Sequence, residues 1–225
     1  MPRTARSVLI DCPLHIVQRG INRTACFFSE RDYVTYLRYL AVFAARFDCS
    51  VHAYCLMTNH VHLLLTPHSA NSCALLMKNL GQQYVQTVNH RLRRTGTLWE
   101  GRFHSSPVTS ERYVLACYRY VELNPVRAGI VKAADGYRWS SYGWNARMQP
   151  NSFLRSHAAY EALGIDPGQR ANTYKEMCEA GVAAAELEEI RKAARVGCAI
   201  GTRRRKRGRP SKLDEKNGVC PHFPG

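Results

Sequence analysis

The segment Met57-Thr58-Asn59-His60-Val61-His62 places two imidazoles two positions apart. In a β-strand, residues i and i+2 share a face. His60 and His62 then stand side by side, with Val61 turned away. Two imidazoles on one face of a rigid strand make part of a metal site and leave a third ligand to be found. Further along, Tyr118-Arg119-Tyr120-Val121-Glu122-Leu123-Asn124-Pro125 offers candidates. Residues four apart on a helix share a face, which pairs Tyr120 with Asn124 and Tyr118 with Glu122. Two steps turn a helix by about 200°, so the pairs look nearly opposite ways and only one can face the histidines. Two imidazoles and a side-chain oxygen suit a divalent cation such as Mg2+ or Mn2+, with coordination positions left open. A cation of that kind polarises a phosphate and stabilises a leaving oxygen. A tyrosine is a nucleophile able to hold a covalent intermediate. Together these residues point to phosphodiester chemistry, in which tyrosine attack keeps the bond energy as phosphotyrosine and frees a 3′-hydroxyl.

The elements that must position this set follow from periodicity. A strand runs from Val8 to about Gln18 and ends at Arg19-Gly20, with residues 21–24 as a loop. Ser29 as N-cap, with Asp32 at the third helical position, opens a helix. Its apolar stripe is Tyr33, Tyr36, Leu37, Leu40, Ala44 and Phe47. Strands over 51–57 and 60–66 flank Thr58-Asn59, the pattern of a hairpin. A second helix covers Asn71 to about Leu92, with Leu75, Leu76, Leu80, Tyr84, Val85 and Val88 inward and a basic C-terminal end. A short strand follows near His104 to Val108. The third helix runs from Glu111 to Leu123 and is stopped by Pro125. Strand, helix, strand, strand, helix, strand, helix is an α+β pattern: a ferredoxin-like antiparallel sheet with packed helices. It fills a domain over residues 1–145. Residues 146–200 read as a helical extension. Residues 201–225 read as a basic, disordered tail, since like charges at that density repel.

The chain has 225 residues and a formal net charge of +15, which points to a polyanionic partner, most often nucleic acid. Its nine cysteines are odd in number and form no C-x-x-C pair, which argues against a disulfide framework or a zinc knuckle. No apolar run is long enough for a bilayer and no signal peptide is visible, so a cytoplasmic protein with no membrane partner is expected. Arg19, Asn22 and Arg23 follow the first strand and are candidates for phosphate contact. Lys78, Arg91, Arg93, Arg94, Arg102 and Arg127 are candidates for a phosphate track. Trp99 and Phe103 are placed in the core in preference to stacking on bases. In the tail, Arg207-Gly208-Arg209-Pro210 resembles the core of an AT-hook; Arg207 and Arg209 are read as a DNA anchor. His15, His52 and His104 have no partner spacing and are expected to be structural. Glu122, the rival ligand, is expected to face solvent.

His60-Val61-His62 resembles the HUH motif (U being hydrophobic) of single-strand DNA nucleases and transposases. The wider match is to the REP-associated tyrosine transposases, relatives of the small insertion-sequence transposases that use one tyrosine. Four segments carry the resemblance. They are His15-Ile16-Val17-Gln18-Arg19-Gly20-Ile21-Asn22-Arg23, residues 54–64 around Met57-Thr58-Asn59-His60-Val61-His62, Leu98-Trp99-Glu100-Gly101-Arg102-Phe103, and residues 120–129 from Tyr120 through Asn124-Pro125-Val126-Arg127-Ala128-Gly129. They span nearly all of residues 12–142. The resemblance implies Tyr120 as nucleophile, Asn124 as third metal ligand beside His60 and His62, and Tyr118 as packing. It implies a metal-dependent enzyme, with Mg2+ or Mn2+, that cleaves and rejoins single-stranded or hairpin DNA of repeat elements through phosphotyrosine, as a monomer or homodimer. Two alternatives remain: a catalytically silent, domesticated protein that binds repeat hairpins, and a metal-dependent protein that binds or cuts RNA.

Overall fold

The computed structural model describes residues 9–200; the basic tail with Arg207 and Arg209 lies outside the described residues. The first seven elements are β1 (Leu14–Arg19), α1 (Glu30–Arg46), β2 (Cys49–Met57), β3 (His60–Pro67), α2 (Ser72–Leu92), β4 (His104–Pro107) and α3 (Glu111–Glu122). The strands form one sheet in the order β2-β3-β1-β4. Each neighbouring pair is antiparallel. This is the ferredoxin-like topology. Then come α4 (Asn124–Arg127), α5 (Tyr142–Arg147), α6 (Ala158–Glu161), α7 (Pro167–Glu179) and α8 (Ala184–Val196).

Local chemistry sets the boundaries. Ser29 and Asp32 form a capping box at the start of α1, with Ser29 N donating to Asp32 Oδ2 at 2.9 Å. β1 starts at Leu14, later than the alternation of its sequence predicts. Asp11 is in the left-handed region at φ 56°, and Pro13 brings no N–H to a ladder. Pro125 does more than stop α3. It occupies the first turn of α4, where a missing N–H leaves no bond unmade.

The two faces of the sheet bury different partners. Leu14, Ile16, Tyr54, Leu56, Val61, Leu63 and Leu65 share one core with Tyr36, Leu40 and Phe43 of α1 and Leu76, Leu80, Tyr84 and Val88 of α2. Leu75 is 41% exposed and not inward, because it lies a step off the Cys73, Leu76, Leu80, Tyr84 and Val88 stripe. On the other face, Ala53, Cys55, Met57 and Leu64 pack with α3 and with Tyr160, Tyr174, Cys178, Ile190 and Ile200. Residues 146–200 therefore cover the sheet together with α3. A fully buried aliphatic side chain such as Ile190 contributes roughly 1.5–3 kcal/mol. The chain after α4 meets both sheet edges. Leu56 N donates to Trp139 O at 2.9 Å and Arg155 N to Val51 O at 2.8 Å on the β2 side. On the β4 side, Ile200 bridges Val108 in parallel, and its N–H donates to Pro107 O at 2.7 Å.

Among the described residues, no helix is long and apolar enough to cross a membrane. Cys26, Cys49, Cys55, Cys117, Cys178 and Cys198 are free thiols.

Candidate active site

Both histidines sit on β3, a central strand, beside the hairpin turn. His60 lies opposite Arg19 of β1 and Met57 of β2; His62 lies opposite Val17 and Cys55. Period-two alternation puts these residues, and His15, on the face covered by α3. The His60 and His62 rings are 4.9 Å apart between centroids and nearly perpendicular, at 78°.

Each imidazole is held from behind. His60 Nδ1 is 2.6 Å from Asn59 Oδ1. An amide oxygen can only accept, so His60 Nδ1 donates and Nε2 keeps its lone pair. Asn59 is itself anchored, its Nδ2 donating to Arg23 O at 3.0 Å. His62 Nδ1 is 3.1 Å from His15 Nε2, and the two ring planes are parallel to within 3°. One of those two nitrogens supplies the shared proton.

Tyr120 is the side chain of α3 that meets them. Its ring centroid lies 5.7 Å from that of His62 and 5.4 Å from that of His15, edge-on to both. The Arg127 guanidinium sits over the Tyr120 ring at 4.4 Å and also donates to the Tyr120 carbonyl. Asn124 is one turn further on. Its Nδ2 donates to Tyr120 O at 3.0 Å and to Val121 O at 3.3 Å, which leaves the amide oxygen as the atom able to bind a cation. The other face of α3 is closed. Glu122 was expected at the solvent and is fully buried instead. Its carboxylate accepts from Asn145 Nδ2 at 2.6 Å, from Tyr174 OH at 2.7 Å and from Ser141 Oγ. Burial pushes it up to about 7, against the pull of those three hydrogen bonds. Tyr118 is enclosed in the core, its hydroxyl accepting from His157 N at 3.1 Å.

The histidine environment favours neutral imidazole. Burial, then the charge of Arg19, lowers His60 to about 4. Burial, then nearby His15 and His60, takes His62 well below its ordinary value. Burial, then Arg127, lowers His15 to about 4. Neutral imidazole with a free Nε2 is the form that ligates a metal, so His60 fits a cation site on its own hydrogen-bond geometry. Among the described residues, no group of three or more His, Cys, Asp or Glu is placed to hold an ion.

The basic candidates divide. Arg19, Asn22 and Arg23 are exposed around the hairpin end, with Asn22 and Arg23 in the left-handed region at φ 50° and 58°. Lys78, Arg93 and Arg102 are exposed, and Arg94 is half-buried. Arg91 does not belong to a free phosphate track. Its guanidinium grips buried Asp32, at 2.5 and 2.7 Å to the two carboxylate oxygens. Arg127 lies against Tyr120. Trp99 and Phe103 are 6% and 8% exposed, in the first core. His52 is structural, bonded to Arg155 O and Thr66 Oγ1 at 2.8 Å each. His104 is exposed on β4. His15 departs from expectation, since it touches both His62 and Tyr120. Only the cross-strand register reveals this, because His15 and His62 are 47 residues apart.

Residues 8–124 match the sequence profile of the IS200-like transposases, just over half of the chain. The chain belongs to the IS200-like transposase family. The matched span of this transposase includes His15, Asn59, His60, His62, Tyr120 and Asn124. No curated protein matches the chain. The solved structure of a REP-associated tyrosine transposase bound to a REP hairpin superposes with a TM-score of 0.56 at 14% identity, over 71% of this chain and 96% of that one. The two share the α+β fold. A transposase-like protein of Deinococcus radiodurans is 18% identical over 50% of this chain and 91% of its own, with a TM-score of 0.38.

Proposed function

We propose that this IS200-like transposase cleaves and rejoins single-stranded or hairpin DNA of repeat elements through a phosphotyrosine at Tyr120. The observation that carries the reading is the Tyr120 ring set edge-on against His62 while Tyr118 is sealed in the core. The relative of the same fold that holds a REP hairpin supports hairpin DNA as the substrate class.

In this reading Tyr120 Oη attacks phosphorus and the bond from phosphorus to the 3′ oxygen breaks. The strand end leaves as a 3′-hydroxyl after taking up a proton, and the 5′ phosphate stays on the tyrosine. Attack by that 3′-hydroxyl, or by another, reverses the step without ATP. Arg127 puts a positive charge beside the phosphate's position. His60, His62 and the Asn124 oxygen would hold Mg2+ or Mn2+, which when bound supplies polarisation of phosphorus and charge stabilisation at the leaving oxygen. Asn59 orients His60, and His15 orients His62. Arg19, Asn22, Arg23, Arg93, Arg94 and Arg102 would contact the backbone and make binding salt-dependent.

The test is incubation of the full chain with end-labelled single-stranded repeat hairpins and Mn2+, followed by a denaturing gel. A label that migrates with the protein, and is lost with chelator, is the expected result. DNA binding with no covalent species at any metal concentration would instead make this a silent hairpin-binding protein. Cleavage of a matched RNA hairpin in preference to DNA would overturn the substrate assignment.

A further inference from the structure

A cavity of about 610 Å³ opens on the opposite face of the sheet, between α2 and residues 97–103. Its volume falls inside the range of small-molecule sites, about 300–1,000 Å³. It begins one residue along β1 from the histidine face: Gln18 lines it, while the next residue, Arg19, pairs with His60. Trp99 and Phe103 form its aromatic wall, and Lys78 and Arg102, both exposed, stand in its lining with no carboxylate among them.

Two further features mark it as more than a packing gap. Gln18 Oε1 and Trp99 Nε1 are buried with no hydrogen-bond partner among the described residues. An acceptor and a donor thus lie unpaired in the same lining, a costly arrangement for a resting fold. The second feature is Gly81, in the middle of α2, where glycine is a poor helix former. A Cβ there would lie 3.5 Å from Trp99 Nε1 and 4.0 Å from Gln18 Nε2, which is ordinary contact. Packing does not exclude alanine, so the glycine leaves unfilled space next to those two sealed polar groups.

We propose that this cavity takes one unstacked nucleobase of the bound DNA. The base lies against Phe103, its edge meets Gln18 and the in-plane Trp99 N–H, and its phosphate is held by Lys78 and Arg102. Both polar atoms are sealed in the free chain, so the Gln18 amide turns as the base arrives, a side-chain rotation with no change of backbone. Cationic side chains beside aromatic platforms are the usual means of holding single-stranded nucleic acid. A paired base cannot enter without leaving its stack, so the occupant comes from a loop, a bulge or a single-stranded flank. This inference rests on the reading that the chain binds such DNA.

The test is fluorescence anisotropy with the full chain and a repeat hairpin carrying single-stranded flanks, each unpaired position replaced in turn by an abasic site. Wild type should lose roughly 5- to 100-fold in affinity at one position, the worth of one stacked base. Gly81→Leu, whose side chain fills the cavity, should bind the intact DNA with a comparable loss and be indifferent to the abasic site there. Gly81→Ala should melt no lower than wild type. Lys78→Gln and Arg102→Gln, at exposed positions, keep the test open should Gly81→Leu fail to fold. Each should flatten the slope of log affinity against log salt by about one. Wild type indifferent to every abasic site, a folded Gly81→Leu with undiminished sensitivity, or unchanged salt slopes would overturn the pocket and leave DNA binding standing. Absence of DNA binding by wild type at low salt would overturn the underlying reading instead.

Discussion

Helix α3 and the turn after it carry the same kind of pair on both sides: a tyrosine, then a polar side chain four residues later. Tyr118 and Glu122 are engaged by polar partners. The Glu122 carboxylate accepts from Ser141, Asn145 and Tyr174, and the Tyr118 hydroxyl accepts from the His157 backbone. Tyr120 meets neutral imidazoles and a guanidinium instead. Asn124 spends its amide N–H groups on its own helix and keeps its oxygen. Residue type does not separate the two pairs. What separates them is whether polar partners already claim the carboxylate and the hydroxyl. A closed network fixes a structure, and an open one can accept a ligand.

The contrast breaks first at the tyrosines. Tyr120→Phe should abolish the covalent DNA adduct, a loss of at least roughly a thousand-fold, the scale of removing a nucleophile. Tyr118→Phe should keep it. An adduct formed by the Tyr120 variant and not by the Tyr118 variant would reverse the assignment of the two faces. Next comes the support behind the imidazoles. Asn59→Ala frees His60 Nδ1 from its acceptor and should weaken Mn2+ binding about 10- to 100-fold, measured by calorimetry on the protein without DNA. Glu122→Gln should leave that affinity unchanged.

The closed network has its own signature, in pH. The folded chain keeps a proton on Glu122 up to about 7, whereas an ordinary carboxyl releases it near 4.5. Between those values the native state binds more protons than the unfolded one, so stability falls as pH rises through the interval and levels off above it. The contribution is about 3 kcal/mol across the window. Urea titrations at pH 5 and pH 7.5 should show the fall in wild type and a flatter profile in Glu122→Gln. The smallest effect belongs to Tyr118→Phe, which removes one hydroxyl from the His157 N–H. It should cost about 1 kcal/mol of stability.

Short-range chemistry was legible in the sequence. Ser29 and Asp32 announce their capping box over three residues, and Thr58-Asn59 between apolar runs announces the hairpin. The pairing of Tyr120 with Asn124 and of Tyr118 with Glu122 was readable too. Which pair faces the sheet was not a matter of spacing, and the resemblance to known transposases chose Tyr120. The misread polar residues depend on distant partners. Glu122 looks solvated until Ser141, Asn145 and Tyr174 close over it. Arg91 looks free at a basic helix end until Asp32, 59 residues earlier, claims it. His15 looks isolated until antiparallel register sets it diagonally across from His62. A charge or an imidazole carries no local mark of its partner, whereas a cap or a turn does.

The bonds that Trp139, Arg155 and Ile200 make at the margins of the sheet bear on assembly. An exposed strand flank is a template on which another chain can add a strand. Here the β2 flank is engaged by the chain after α4, and the short β4 flank ends in proline and is met by Ile200. A second copy adding a strand would have to displace these contacts within the described residues. A homodimer built through side chains of the described helices and loops would be open to change by surface substitutions that leave the ladder around His60 and His62 intact.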